Sequence, residues 1–443
     1  CGPHRSIDEI MTLNSHMVFI GIGGIGMSAL ARHCLLQGKR VFGYDKVPTE
    51  LTALLESEGA IITYDENIDS YPGWTPKDTT VVYTPAIPES NTWMSFFATF
   101  APIKRAQALA SITNEKRCLA VAGTHGKTST SALLTHILTE AGQDPTAFIG
   151  GIMSSTKSNY RLGNGPWVVV EADEFDRSFL HLQPEAAGIT TIDADHLDIY
   201  GHEEALAEAF AAFRNRVSSS VFTATGLENT TAIGTAGSHA WASDIHPENG
   251  AFHFILNLAG ESVQTALNMP GHHNVSNAIL AASLAHFTGV PIEIIGQAIE
   301  SFAGIKRRFE YHLHEPIALI EDYAHHPTEI NALIGSVQAL YPNEKICLCF
   351  QPHLFSRTRD FMNGFAESLN RAGQVLLLPI YPARELPLDG ITSEALAAKM
   401  NNASVVEKEE LVAAIKAAKP DVVLIVGAGD IGDLVPTIKA KFA

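Results

Sequence analysis

Short apolar runs recur along the chain between longer amphipathic stretches. This is the pattern of strands buried on both faces with helices packed over them. Residues 17–20 (Met-Val-Phe-Ile) form the first run, followed by the glycine turn Gly21-Ile22-Gly23-Gly24-Ile25-Gly26. Helix-favouring residues continue to Gln37, with Gly38 as the stop. Further strands are predicted at 41–45, 81–86, Arg117–Ala122, 167–170 and 187–192, and helices at 129–141, Glu203–Arg214 and 278–285. Beyond residues 302–309, apolar runs at 317–320, Ile346–Phe350, 375–380 and Val422–Val426 alternate with helical stretches such as 394–400. Strands alternating with helices predict an α/β protein with parallel sheets. No low-complexity linker and no short repeat interrupts the pattern. The simplest organisation is three α/β domains joined by short hinges, 1–110, 111–304 and 305–443.

A chain of 443 residues, 46% of them apolar, is long enough for two to four domains with real cores. The balance of 30 Lys+Arg against 48 Asp+Glu gives a net charge of −18, which argues against non-specific nucleic-acid binding and leaves room for a local phosphate pocket. The five cysteines are odd in number and scattered, with no Cys-x-x-Cys knuckle. Cys347 and Cys349 alternate within an apolar run, as buried thiols would. Neither a charged-then-apolar leader nor an apolar stretch of membrane-spanning length is seen. The expectation is a soluble, cytoplasmic protein with no membrane partner; no feature sets an oligomeric state.

Chemistry concentrates at the ends of the predicted strands, where open α/β sheets bind ligands. Gly123-Thr124-His125-Gly126-Lys127-Thr128, between a strand and a helix, reads as a phosphate cradle. Backbone N–H groups face an anion, Lys127 supplies a cation, and Thr128 supplies a hydroxyl for magnesium. The loop is not a strict G-x-x-x-x-G-K-T, because Val121 stands at the first glycine position. Glu171-Ala172-Asp173-Glu174 and Asp193-Ala194-Asp195-His196 end the two following runs and can hold a metal beside the phosphates. Glu171 reads either as a metal ligand or as a solvated carboxylate. His196 reads as a ligand, as a cap of the next helix, or as a satisfied core histidine. Gly21–Gly26 with Asp45 about twenty residues on has the Rossmann-like form of a pyrophosphate and ribose site, without distinguishing NAD from another nucleotide.

Three more stretches stand out. Asn274 and Asn277 lie three apart before the helix at 278–285, suited either to an adenine edge or to capping. Lys306-Arg307-Arg308 at the last boundary is placed to deliver an arginine to a phosphate on domain closure. Arg357 and Arg359 end a strand, either gripping a carboxylate or pairing with Asp360.

These pieces, in this order, resemble the Mur ligases, ATP-dependent amide ligases of cell-wall precursor synthesis. The motifs are Gly-Thr-His-Gly-Lys-Thr (123–128), Glu-Ala-Asp-Glu (171–174), Asp-Ala-Asp-His-Leu-Asp (193–198), His-His-Asn-Val-x-Asn (272–277), Lys-Arg-Arg-Phe-Glu (306–310) and Asp-Tyr-Ala-His-His-Pro (322–327). The resemblance runs from about Phe19 to Asp433. It implies a Rossmann-like first domain, a P-loop ATPase-like central sheet and a Rossmann-like third domain. Residues 19–27 and 350–360 look most like the class that joins L-alanine to UDP-N-acetylmuramate through an acyl phosphate.

On that resemblance, the ATP contacts are Gly123, Thr124, His125, Gly126, Lys127, Thr128, Ser129, Asn274, Asn277, Arg307 and Asp322. Thr128, Glu171 and His196 match metal positions, with magnesium as the ion and manganese as its alternative. Gly21, Gly23, Gly24, Gly26, Asp45, Thr84 and Arg105 fall to the sugar nucleotide, and Tyr323, His325 and Arg357 to the amino acid. Lys127, Glu171, His196 and His325 are the catalytic candidates. Two departures accompany the match. The family often has arginine where this chain has Leu354, and no lysine lies between Lys157 and Lys306 to serve as the carbamylated ligand of some relatives. The competing readings are a murein-tripeptide recycling ligase, an NAD-dependent dehydrogenase built on the first glycine turn, and an ATP-binding regulator without catalysis.

Overall fold

A computed structural model describes residues 13–88, 90–193, 200, 203–248, 250–383 and 385–443. Within them the chain forms two compact units. The first draws on the described residues up to Trp241, with Leu256–Val263 and Asn277–Ser301, and the second on those of Ala242–Ile255, Gln264–Ser276 and Phe302–Ala443.

The first unit holds two sheets. Strands β1 (His16–Ile20), β2 (Arg40–Tyr44), β3 (Ile61–Thr63), β4 (Thr79–Tyr83) and β5 (Ile103–Lys104) pair in parallel in the order 3-2-1-4-5. Because β1 lies between β2 and β4, the turn after β1 opens at the switch point of a doubly wound sheet. Helix α1 (Ile25–Leu36) starts inside the predicted glycine turn and ends at Gln37, where Gly38 takes φ +75°. Helices α2 (Glu50–Ser57), α3 (Thr92–Phe96) and α4 (Arg105–Thr113) follow.

The second sheet comprises β6 (Arg117–Ala122), β7 (Thr146–Met153), β8 (Ser158–Arg161), β9 (Trp167–Glu171), β10 (Ala186–Ile189), β11 (Ser220–Thr223) and β12 (Thr231–Ala232), in the order 12-11-10-6-9-7-8. Its centre, β6, pairs in parallel with β9 and β10 and feeds helix α5 (Lys127–Glu140). From Cys118 onward every residue of β6 is buried, as its unbroken apolar pattern requires.

One apolar core runs through both sheets, joining Phe19 and Leu30 to Val170, Phe179 and Phe210. Each such large side chain removed from water contributes roughly 1.5–3 kcal/mol. At this seam Asn159 of β8 donates to the Ile25 carbonyl (2.6 Å) and to Ser28 Oγ (3.0 Å), and His33 Nδ1 lies 2.8 Å from the Tyr160 hydroxyl. Burial holds the His33 imidazole down at about 4, so the ring is neutral there.

Strands β13 (Ala240–Glu248), β14 (Ala251–Leu258) and β15 (Glu261–Leu267) form a three-stranded sheet that the apolar runs do not predict. The alanine-rich helix also differs from expectation. It spans His272–Phe287, so the histidine–asparagine motif forms its first turns and does not precede it.

The second unit holds β16 (Glu310–Leu313), β17 (Ala318–Asp322), β18 (Ile346–Phe350), β19 (Gln374–Leu377), β20 (Ala403–Val405) and β21 (Val422–Val426), in the order 16-17-21-18-19-20. All pair in parallel except β16 with β17. Apolar clusters cover both faces, with Cys347 and Cys349 fully buried and unbridged. Among the described residues no helix is long and apolar enough to cross a membrane.

Candidate active site

The glycine turn after β1 is built for close approach. Gly21 has φ +87°, and a Cβ there would come within 2.9 Å of Thr84 Cγ2. A Cβ on Gly23 would lie 2.9 Å from Asp45 Oδ2, and one on Gly26 2.8 Å from Arg105 Nη1. The structure therefore gathers Asp45, Thr84 and Arg105 around this one turn. Asp45 Oδ2 accepts the Gly23 N–H at 2.7 Å, so the carboxylate that sequence spacing assigns to a ribose also braces the turn. Helix α1 opens at Ile25 with no side-chain cap, which leaves its first N–H groups directed at an incoming anion.

The second glycine loop joins β6 to α5. Gly123 (φ +131°) packs on Thr190, and Gly126 (φ +81°) packs on the Asn277 amide, so a side chain at either would overlap its neighbour. Residues after β10 pin the loop: Thr124 N–H donates to the Thr191 carbonyl (3.0 Å), and the Thr124 and Thr191 hydroxyls are 2.8 Å apart. His125 N–H points at the Thr191 hydroxyl (3.3 Å), and Ser129 sits half-buried in the first turn of α5. His196 lies outside the described residues.

Lys127 turns back on its own loop. Its ammonium donates to the Gly123 carbonyl at 2.6 Å and lies 2.9 and 2.8 Å from the two oxygens of Glu174, a fully buried carboxylate. Burial pushes Glu174 up to about 7 against the pull of Lys127. Burial also opposes the charge on Lys127, but Glu174, Asp173 and Glu171 together outweigh it and raise the lysine. Thr128 Oγ1 donates to Glu171 Oε1 at 3.0 Å, and the Gly150 N–H holds Glu171 Oε2 at 2.8 Å. Two hard oxygens at that spacing suit adjacent corners of an octahedral magnesium, whose bonds of about 2.0–2.1 Å put neighbouring ligands about 2.9 Å apart.

The acidic turn after β9 also reaches the first sheet. Asp173 Oδ2 lies 3.2 Å from Arg105 Nη2, and Asp176 Oδ2 lies 2.6 Å from Lys104 Nζ. A small cavity beside the Asp173–Arg105 pair is lined by Arg105, Glu171, Asp173 and Ser178 among others.

In the second unit the candidates cluster at the carboxyl ends of β17 and β18. Arg307 (φ +60°) pairs with Glu321 at 2.8 Å and donates to the Gly427 and Gly429 carbonyls at 2.7 and 3.1 Å. Glu310, His312 and Glu321 draw their ligand atoms within 4.8 Å of one another, a group that the Arg307 cation borders. Asp322 accepts the Phe309 and Ala324 N–H groups, one on each oxygen at 2.8 Å, and desolvation pushes it up to about 6. The Tyr323 ring lies under the Arg307 guanidinium (5.0 Å) and edge-on to His325 (5.4 Å).

His325 Nδ1 is 3.0 Å from the Tyr323 carbonyl, which assigns its proton to Nδ1 and leaves Nε2 as a base. Burial lowers its affinity for a second proton. Arg357 lies on the short helix Phe355–Asp360, whose N-cap is Leu354 at φ +71°. Arg359 pairs with Asp360 at 2.7 Å on the surface, as its ion-pair reading has it. Asn274, 6% exposed, donates to the Pro270 carbonyl at 3.0 Å from within its helix; this is not an N-cap.

The chain matches known proteins over nearly its whole length. Residues 16–117 match the catalytic domain of the Mur ligase family, 121–285 the Mur ligase middle domain, and 307–429 the Mur ligase glutamate ligase domain. A UDP-N-acetylmuramate–L-alanine ligase of Flavobacterium psychrophilum is 48% identical over 445 residues, covering 97% of this chain and 99% of that one. The chain belongs to the Mur ligase family. A crystal structure of the UDP-N-acetylmuramate-alanine ligase MurC of Thermotoga maritima aligns with this Mur ligase at TM-score 0.83 and 31% identity, covering 96% and 99% of the two chains. The murein peptide ligase mpl of Psychrobacter arcticus shares the fold, at TM-score 0.72 and 23% identity over 97% and 99% of the two chains. This Mur ligase is an enzyme of the ligase class.

Two participants in the site were not singled out from sequence. Glu174 sat within a recognised acidic motif, and its distance of three residues from Glu171 was the available signal. Gly150 carried none, because its partner is 21 residues away and adjacent only through strand pairing.

Proposed function

We propose that this Mur ligase joins L-alanine to the carboxylate of UDP-N-acetylmuramate at the expense of ATP. The reading rests on the near-full-length identity to a ligase of that name. The site chemistry is compatible with each step. The substrate carboxylate attacks the γ-phosphorus and ADP leaves, giving an acyl phosphate; the amine of L-alanine then attacks the acyl carbon and phosphate leaves. Lys127 and the N–H groups of 123–128 hold the ATP phosphates, with Ser129, Asn274, Asn277, Arg307 and Asp322 as further nucleotide contacts. Thr128 and Glu171, with His196, would hold a magnesium ion, or manganese in its place, which supplies charge neutralisation when bound. Gly21–Gly26 with Asp45, Thr84 and Arg105 holds the sugar nucleotide.

Tyr323, His325 and Arg357 receive the amino acid, with Arg357 on its carboxylate. His325 Nε2 takes the proton that the attacking amine gives up. The three functional blocks are 1–110, 111–304 and 305–443; the phosphate loop of the second shares a compact unit with the first block's glycine turn. The need for ATP and a nucleotide sugar suits a cytoplasmic location.

The test is phosphate release from magnesium-ATP and UDP-N-acetylmuramate with L-alanine, glycine, L-serine or murein tripeptide added separately, and the amide confirmed by mass. Release favouring L-alanine is expected. Preference for the tripeptide, or no release with any acceptor, overturns the reading.

A further inference from the structure

The turn after β9 carries three carboxylates, which hold three cations from two separate places. Glu174 grips Lys127 of the phosphate loop, while Asp173 and Asp176 grip Arg105 and Lys104 at the start of α4, beside the first glycine turn. The turn has an irregular backbone: Asp176 and Arg177 both take left-handed angles, φ 52° and 54°. Two successive non-glycine residues in that region persist only where surroundings hold them. Here the Phe179 N–H bonds the Asp173 carbonyl (2.9 Å), the Arg177 N–H bonds the Glu174 carbonyl (2.9 Å), and the Tyr200 hydroxyl bonds the Glu174 carbonyl (2.6 Å). Arg105, Glu171 and Asp173 face one cavity, so a sugar-nucleotide candidate and a metal candidate share a wall.

We propose that Asp173 and Asp176 are positioning residues that couple the two nucleotide sites of the ligase through this turn. The inference rests on the function proposed above. Either ligand needs its cation correctly placed, and both cations are placed by the same strained segment. Whichever ligand binds first draws its cation and, through the ion pairs, shifts the turn, so the second meets a cation whose position the first has already set. Coupling of this kind is reciprocal: each nucleotide tightens the other by the same factor.

The test measures binding of a non-hydrolysable ATP analogue with magnesium by calorimetry, with and without saturating UDP-N-acetylmuramate. In the unaltered enzyme the sugar nucleotide is expected to tighten the analogue about fivefold, the low end of usual coupling. In Asp176→Asn that factor is expected to fall to about one, with affinity for either ligand alone changed less than about twofold, the pair being partly exposed. The reversed pair, Lys104→Asp with Asp176→Lys, is expected to recover part of the coupling, a result that simple loss of stability does not produce. Independent binding of both ligands to the unaltered enzyme, or full coupling in Asp176→Asn, overturns the inference while leaving the proposed function standing. Failure of UDP-N-acetylmuramate to bind overturns the function and the inference with it.

Discussion

At Gly150 the missing side chain is what allows Glu171 to sit where it does. A Cβ there would come 2.5 and 2.6 Å from the two Glu171 oxygens, and the Gly150 N–H fixes one of them. Gly150→Ala is therefore expected to displace the carboxylate, lower kcat/KM about 10–100-fold and raise the magnesium needed for half-maximal rate, with the melting temperature little changed. A magnesium titration of the variant checks it. Leu354 presents the opposite case, a bulky residue where the backbone asks for none. Its φ of +71° with ψ 137° lies in territory that costs about 1–3 kcal/mol for a side chain. Leu354→Gly relieves that strain and gives back part of it as unfolded-chain entropy. A net gain of about 1 kcal/mol is expected in chemical denaturation.

Among the elements, the seam between α1 and β8 adds polar contacts to the apolar core that the two sheets share. Asn159 is fully buried and spends its amide N–H groups on α1, so Asn159→Ala is expected to cost about 1–3 kcal/mol, read as a lower urea midpoint. Nothing in the sequence marks this contact, because an asparagine in a short polar strand looks like any surface residue until its partner 134 residues away is known.

Strands buried on both faces were legible: Arg117–Ala122, Ile346–Phe350 and Val422–Val426 occur with the expected ends, since an unbroken apolar run admits few other structures. The run at 187–192 gave a shorter strand, ending at Ile189: Thr190 N–H still reaches the last residue of β6, Ala122, but the Thr191 carbonyl accepts from Thr124 of the phosphate loop. Sheet β13–β15 was missed for the converse reason. In β14, buried and half-buried residues alternate from Phe252 onward, and a search for continuous runs passes over a period of two. Both glycine loops were legible as motifs. The ion pairs that tie the start of α4 to the acidic turn were not, because charge pairing across 72 or 68 residues leaves no local signal.

For the molecule as a whole, pH acts through groups of both signs. His33 in the first unit, and His273 and His353 in the second, are each held down at about 4 by burial. The unfolded chain takes up these protons near 6.5 and the fold resists them, so their contribution to stability is lost as pH falls from about 6.5 towards 4. Glu174 and Asp322, raised to about 7 and 6 by burial, act the other way: the fold keeps protons that the unfolded chain releases, so stability is lost as pH rises through those values. Removing one histidine isolates its share. In His33→Gln the slope of unfolding free energy against pH between about 4 and 6.5 is expected to drop by about 1.4 kcal/mol per pH unit, measured by urea titrations at a series of pH values.

The shared core of the two sheets has one further consequence. Both glycine loops, at 21–26 and 123–128, belong to the same compact unit, so the packing of one shared core sets the span between them. On the function proposed above, a substrate whose pyrophosphate rests at one loop and whose acid must reach the other is measured against that span. An acid carried one bond too far or too near stays bound yet out of reach, and length becomes a criterion of selection alongside charge.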